Sequence, residues 1–423
     1  MKRICFPVVL VLCGQLGAQT NDFLTWEECL KQTECNSPDM VKAKAAVREL
    51  QHNVVAAKAG FLPQINASAS FTKSGSRADD SSSQESDTSS AGLSLSQSVY
   101  SGGATTAKRD QAVIALQIGE EQYKATLSDI ERRTRLAYID ALYAQDLIAL
   151  TRKITERRAN NVRLIQLRFD GGRENAGSLE RSKAQLTEAQ FEEREARRSL
   201  DYALQNLAAT IGRIEPVSGA DGMLSASEPD PLMRLYHLVK QIPDYRIAEK
   251  QLESRRKGLI VSRSGRFPSI TFSASTGLGG EQDLRDENWR MGISASIPLF
   301  TGRKLTSEIL AANEQVIQSE MELLDTGNTI MATLQGAWND YTDAVEYESV
   351  QKTLLDAEIL RAEISTAKYK QGLLDYEDWD TIESNLISQN KLYLQRQRAA
   401  AVQEANWRNA LGLSVWTMTE ERN

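Results

Sequence analysis

The chain is 423 residues long, with 6% aromatics, nine prolines and an abundance of Ala, Leu, Gln, Glu and Arg, a composition that leans towards long helices. Its formal charge of −7 disfavours nucleic acid as a partner. The two histidines, His52 and His237, stand alone, and no phosphate-cradling glycine loop or zinc or redox spacing occurs, so the reading holds no enzyme, cofactor or metal.

Residues 1–18 read as a secretory signal peptide: Lys2 and Arg3, an apolar run from Ile4 to Cys13, then Gly17 and Ala18 before Gln19, with cleavage expected after Ala18. That run is well short of the roughly 20 apolar residues of a spanning helix, and no later stretch qualifies. Any membrane crossing must then use strands. The mature chain keeps Cys29 and Cys35, for which two states stay open: a disulfide, if the chain turns between them, or two buried thiols. Six residues along one helix would put the sulfurs on different faces.

Self-similarity organises the rest. Ala56 to Ser70 (AAKAGFLPQINASAS) returns as Val261 to Ser275 (VSRSGRFPSITFSAS) at an offset of 205, which Pro38-Asp39 and Pro243-Asp244 share. Leu93 to Gly103 (LSLSQSVYSGG) returns as Ile293 to Arg303 (ISASIPLFTGR) at an offset of 200, which then holds for Phe169/Tyr369, Gly172/Gly372, Asn206/Asn406 and Gly212/Gly412. One five-residue length change between Phe71 and Ala91, in a Ser- and Asp-rich segment where a solvated loop tolerates insertion, explains both offsets. The expected organisation is a first repeat over 19–212, a linker over 213–230, a second repeat over 231–412 and a tail over 413–423.

Each repeat opens on a short helix, about Pro38 to Ala59 and Pro243 to Ser264. Two strands follow, at about 65–73 and 91–100 in the first copy and about 270–277 and 290–299 in the second. Then comes one long helix, Gly103 to Phe169 or Gly302 to Tyr369, with apolar or small residues at heptad spacing: Val113, Leu116, Tyr123, Leu127, Ile130, Ala137. At about 1.5 Å per residue it reaches roughly 100 Å. A glycine turn leads to the last helix, Ser178 to Ile211 or Asp378 to Leu411. The fold class is therefore mainly α with a small β part.

The strands alternate strictly. Ile65, Ala67 and Ala69 oppose Asn66, Ser68 and Ser70, and Leu93 and Leu95 oppose Ser94 and Ser96. In the second copy Ile270 and Phe272 oppose Thr271 and Ser273, and Ile293 and Ala295 oppose Ser294 and Ser296. One face is apolar, the other small and hydroxylated, over the roughly 9–11 residues that a tilted strand needs to cross a bilayer. Gln97 falls on the apolar face, with no reason for it in the sequence. A set of four strands has two open edges, which cannot lie in lipid. About eight strands, from two chains, would fill their own interior, whereas about twelve, from three, leave a passage, so a homotrimer is the smallest conduit.

The order of the motifs, with GFLPQI and GRFPSI before the strands, VYSGG and LFTGR after them, and LAATIG and WRNALG at the repeat ends, occurs twice from about Leu24 to Gly412 and resembles the TolC-type outer-membrane efflux proteins. The resemblance implies long antiparallel helices forming a periplasmic α-barrel. It also implies a trimeric transmembrane β-barrel of about twelve strands in outer-membrane lipid. It implies docking to a periplasmic adaptor protein and an inner-membrane transporter, for efflux or type I secretion. It further places the periplasmic tip at Arg168 to Ser178 and Lys368 to Asp378, with Phe169, Gly172, Ser178, Tyr369 and Gly372 at the adaptor contact. The second turn departs from the family pattern at Leu374 and Thr381, where some members carry a basic residue and a second carboxylate.

Asp375, Glu377, Asp378 and Asp380, repeated around a trimer, are expected to make the aperture cation-selective and narrowest near Asp378, although Asp375 and Glu377 fit better as acids complementing a helix N-terminus. Asn66, Ser68, Ser94, Ser96, Thr271, Ser273, Ser294 and Ser296 are the expected barrel lumen. The competing expectation is a non-conducting periplasmic coiled-coil scaffold or pump adaptor. An adaptor needs lipoyl-like and small β-barrel segments flanking a single hairpin, and this chain has two hairpins in tandem.

Overall fold

Two helices of 67 and 68 residues dominate the chain, and each is preceded by two consecutive residues with positive φ: Gly102 and Gly103, directly after a strand, before the first, and Gly302 and Arg303 before the second. The computed structural model describes residues 23–76, 84–229, 235–281 and 286–416, so the expected signal peptide lies outside the described residues. In chain order the elements are β1 (Phe23–Leu24), α1 (Trp26–Asn36), α2 (Pro38–Lys58), β2 (Gln64–Ser76), β3 (Gln84–Ser101), α3 (Ala104–Asp170), α4 (Ala176–Thr210) and β4 (Gly219–Ala220). The second half holds α5 (Leu235–Val239), α6 (Pro243–Ser264), β5 (Ser269–Glu281), β6 (Asp286–Ser296), α7 (Lys304–Gln371) and α8 (Tyr376–Ala410). Among the described residues no helix is long and apolar enough to cross a membrane.

Two compact units result, and neither coincides with a repeat. The first draws on residues 23–37, 134–226 and 347–401, the second on residues 38–133, 227–346 and 402–416. In the first unit the seams between helices are built from alanine: Ala189, Ala196 and Ala203 recur every seven residues along α4, and Ala137, Ala141 and Ala144 line α3, all buried. A side chain this small lets helix backbones approach closely while losing no rotamer entropy. The segment between the repeats is pinned here. β4 pairs in parallel with β1, the Gln145 side chain accepts from Ala220 N and donates to Ala220 O, and the Tyr138 hydroxyl donates to Asp221 O. Helix α1 runs unbroken through Cys29 and Cys35, so the turn that a bridge requires is missing. Cys29 is buried and Cys35 exposed, and burial pushes the Cys29 thiol up to about 12.

The second unit holds an antiparallel sheet in the order β2-β3-β5-β6. Its register keeps like with like. Ile65 pairs with Leu95 and Phe272 with Ile293, while Asn66 pairs with Ser94, Ser94 with Ser275 and Thr271 with Ser294. All eight residues expected in a lumen therefore share one sheet face. β2 and β6 each have a single partner strand, so the sheet keeps two open edges among the described residues.

The Gln97 exception has a local cause. Its Nε2 donates to Phe61 O at 3.1 Å and to Ser98 O at 3.0 Å, and a register shift between Ser98 and Tyr100 follows immediately. Gln97 thus satisfies one carbonyl at the bulge and one in the turn before β2, where the strand leaves the sheet. β3 starts at Gln84, earlier than its apolar alternation, whereas β6 stops at Ser296 because Pro298 cannot donate to the ladder. Below the sheet this unit packs Leu235, Val239, Ile242, Ile330 and Leu334 with Trp407, whose ring meets Trp338 edge-on at 5.3 Å.

Candidate functional site

The two turns that join long helix to following helix are built alike. In the first, Gly172 N donates to Phe169 O at 2.9 Å and Arg173 N to Arg168 O at 2.8 Å; in the second, Gly372 N donates to Tyr369 O at 3.0 Å and Leu373 N to Lys368 O at 2.9 Å. Each glycine takes a positive φ, +67° at Gly172 and +78° at Gly372, which closes the paired carbonyl-capping motif at a helix end. The next helix is capped three residues later. The Asn175 side chain accepts from Ser178 N at 2.9 Å, and the Asp375 side chain accepts from Asp378 N at 2.8 Å.

The turns share a backbone but differ in side chains. Tyr369 is fully buried, stacked on Trp379 with ring centroids 4.5 Å apart, and its hydroxyl donates to Glu174 Oε2 at 2.8 Å. The Arg168 guanidinium lies 4.3 Å from the centre of the Tyr369 ring and donates to Tyr369 O at 2.5 Å. Tyr376, Ile165 and Leu179 complete the apolar cluster, and Trp379 Nε1 donates to Thr366 Oγ1 at 3.1 Å.

One turn further along α8, two carboxylates are buried and paired. Glu383 takes both nitrogens of Arg157 at 2.7 Å each and also accepts from Asn161 and Thr366 at 3.2 Å. Burial would raise its proton affinity, but the Arg157 guanidinium and these hydrogen bonds outweigh burial and hold the carboxyl below its ordinary range. Asp380 meets Arg181 at 3.0 Å, Arg158 at 3.5 Å and Gln185 Nε2 at 3.0 Å. Burial, with Asp380 nearby, pushes the Tyr376 hydroxyl up to about 12; burial and the bond to Glu174 push Tyr369 higher still.

The residues singled out from sequence fall into two groups. Phe169, Gly172, Gly372, Asp375 and Asp378 are exposed at the turns. Ser178 and Tyr369 are buried, so they hold the turns in shape rather than offering side chains to a partner, and Asp380, expected in the aperture ring, is likewise buried, paired with Arg181 and Arg158. Arg157, Arg158, Arg168, Glu174, Asp380 and Glu383 were not anticipated as paired. A trace exists in the sequence, since Asp380 and Glu383 stand about one turn apart on one helix and Arg157 and Arg158 are adjacent on another, so each pair of like charges needs partners from elsewhere.

The sequence family described as outer membrane efflux protein matches residues 29–213 and, separately, residues 235–413. The chain belongs to the outer membrane efflux protein family. Each repeat thus matches the outer membrane efflux protein family by itself. Among curated relatives, the pyoverdine export outer membrane protein OpmQ of Pseudomonas aeruginosa is 23% identical over 410 residues, covering 92% of this chain and 83% of OpmQ. The outer membrane protein TolC of Escherichia coli is 22% identical over 438 residues, covering 97% of this chain and 87% of TolC. Among solved structures, CusC superposes with a TM-score of 0.82 at 17% identity, over 95% of this chain and 96% of CusC, a likeness of fold. As an outer membrane efflux protein the chain resides in the outer membrane, and its export role follows from the family.

Proposed function

We propose that three copies of this chain close into one conduit that carries substrates from a periplasmic adaptor and an inner-membrane transporter to the cell exterior. The observation that carries this reading is the sheet: four strands in continuous register, apolar on one face, hydroxylated on the other, with both edges open. An open edge in lipid costs several kcal/mol per unsatisfied backbone group, so the sheet requires further copies to close it. Three copies supply about twelve strands, enough to leave a passage lined by Asn66, Ser68, Ser94, Ser96, Thr271, Ser273, Ser294 and Ser296. Leu93, Met291 and Ile293, exposed on the opposite face, would meet lipid.

In this reading the two turns form the periplasmic tip. Phe169, Gly172 and Gly372 offer the adaptor contact, and Asp378, exposed and free of the capping duty that Asp375 performs, lines the aperture. The repeats from 19 to 212 and from 231 to 412 act as equivalent staves of the tube, and transport rather than catalysis is the role. Fractionation tests this directly. A heat-sensitive trimer in the outer-membrane fraction agrees with the conduit, and a soluble periplasmic monomer contradicts it.

A further inference from the structure

Where the sheet meets the helices, the chain reverses its overall charge. Within fourteen residues of the helix-side ends of β2, β3, β5 and β6 stand ten Lys or Arg and two acids, Asp110 and Glu308, in a chain whose acids outnumber its Lys and Arg by 57 to 50. All of them belong to the second unit. Asp110 already serves Arg109 at 2.5 Å and Lys257 at 2.9 Å; Arg256 reaches Glu320 at 3.0 Å, and Lys304 reaches Glu308 at 3.9 Å. The other six cations, Lys58, Lys108, Arg255, Arg263, Arg266 and Arg303, are exposed, with no acid at ion-pair distance among the described residues.

Helix dipoles do not explain this belt. Lys58 and Arg263 end α2 and α6, where a cation is favourable, but Arg303 and Lys304 stand at the start of α7, where the dipole opposes them, and Lys108 and Arg109 sit near the start of α3. Intramolecular pairing does not explain it either, because the acids are too few. What does fit is the order of chemistry along the chain. Going from sheet to helix, the apolar strand face gives way to exposed Phe61, Tyr100, Phe267 and Phe300, and these give way to the cations. Hydrocarbon, interfacial aromatics and then a phosphate layer occur in that order across one leaflet.

We propose that this basic belt binds the headgroups of anionic phospholipids in the periplasmic-side leaflet, an inference that rests on the reading of β2, β3, β5 and β6 as membrane-spanning. The most developed position is a depression of about 360 Å³ lined by Lys58, Arg109 and Lys257, by the carboxylates of Asp110 and Glu253, and by Gln117, Val113 and Ile114. Asp110 is taken up by Arg109 and Lys257 and Glu253 by Lys250, so Lys58 is the cation left for a phosphodiester, with the glycerol backbone against Val113 and Ile114. Each cation at such a surface raises local binding roughly fivefold, and the effect weakens with salt.

The experiment uses the full mature trimer purified in a neutral detergent, titrated with phosphatidylglycerol or phosphatidylcholine, with bound lipid counted by native mass spectrometry. The unmodified trimer should retain phosphatidylglycerol in preference to phosphatidylcholine. The combined variant Lys58→Gln, Arg255→Gln, Arg263→Gln, Arg266→Gln should lose roughly tenfold or more of that affinity. Replacing the three arginines by lysine should keep it. If the fourfold variant does not form trimers, Lys58→Gln with Arg263→Gln carries the comparison. Equal retention of the two lipids by the unmodified trimer overturns the proposal, as does a neutralised trimer that binds phosphatidylglycerol as before. Unchanged lipid binding with altered ion selectivity also overturns it and moves these cations to the conduit wall. Conductance of the same preparation in planar bilayers separates the two readings: a conducting trimer without lipid preference sinks the belt alone, and a protein that neither inserts nor conducts sinks both.

Discussion

Tyr369 and Trp379 stack face to face, with ring centroids 4.5 Å apart and planes within 6° of parallel, and in doing so they lock the end of α7 onto the start of α8. Both rings are essentially inaccessible to water. Truncating such a residue loses its buried area and leaves a cavity, so Trp379→Ala should cost about 3–5 kcal/mol in denaturant unfolding. The neighbouring hydroxyls should differ. Tyr369→Phe removes a hydrogen bond to Glu174 and should cost about 1–2 kcal/mol, whereas Tyr376→Phe removes a buried hydroxyl with no partner among the described residues and should be neutral or slightly stabilising.

The Arg157 and Glu383 pair makes the turns sensitive to acid. Glu383 is held below its ordinary value of 4.5, so its folded pKa lies under its unfolded one. Such a group stabilises the fold fully above the unfolded value and loses that contribution as pH falls through the folded value. Thermal melting should therefore be flat above about pH 5 and should drop at lower pH. Glu383→Gln should cost about 3 kcal/mol near neutrality, because a buried bidentate pair loses one member, and should flatten the acid limb of the curve. An unchanged acid limb in Glu383→Gln would assign the sensitivity to other carboxylates.

Gly172 and Gly372 are required for backbone conformation and not for space. An added Cβ at either would meet nothing within 4 Å, but each φ is positive. Alanine at each should cost about 1–2 kcal/mol from the left-handed conformation alone. Bulkier residues at both, in trimers that still assemble, should suppress export by blocking the adaptor contact. Normal export by such trimers would remove these glycines from that contact.

Asp375 and Asp378 should separate by readout. Asp375→Ala loses a cap to Asp378 N and should cost about 1 kcal/mol in stability. Asp378→Ala keeps that cap, since only its backbone is engaged, and should instead reduce the preference for cations over anions in planar bilayers. Unchanged selectivity in Asp378→Ala removes it from the aperture.

The mainly helical class and its small β part were legible because each leaves a period in the sequence, seven along α3 and α7 and two along the strands. The strand ends were less legible for a physical reason. At the loop side of β3, Asp87, Thr88, Ser89 and Ser90 alternate polar with polar, so backbone pairing extends the ladder with no apolar signal to mark it. Gln97 looked like a fault until its carbonyl partners at Phe61 and Ser98 were visible. The site was partly legible. Its two glycine turns follow from a repeat offset, but Arg157 and Glu383 are 226 positions apart and meet only through the packing of α3 against α8. Equivalence between the copies also misled at one place: Phe169 and Tyr369 align, yet the first is exposed and the second fully buried, because only the second has a tryptophan to stack on.

In the proposed function, copies of this chain close their strands into a conducting barrel. Single-channel recording of the purified outer-membrane protein in a planar lipid bilayer tests it most directly. The expected record is discrete steps of one uniform size, cation-preferring, from a species that dissociates to monomers on heating. Protein that inserts into the bilayer without conducting, or that stays a soluble monomer, would contradict it.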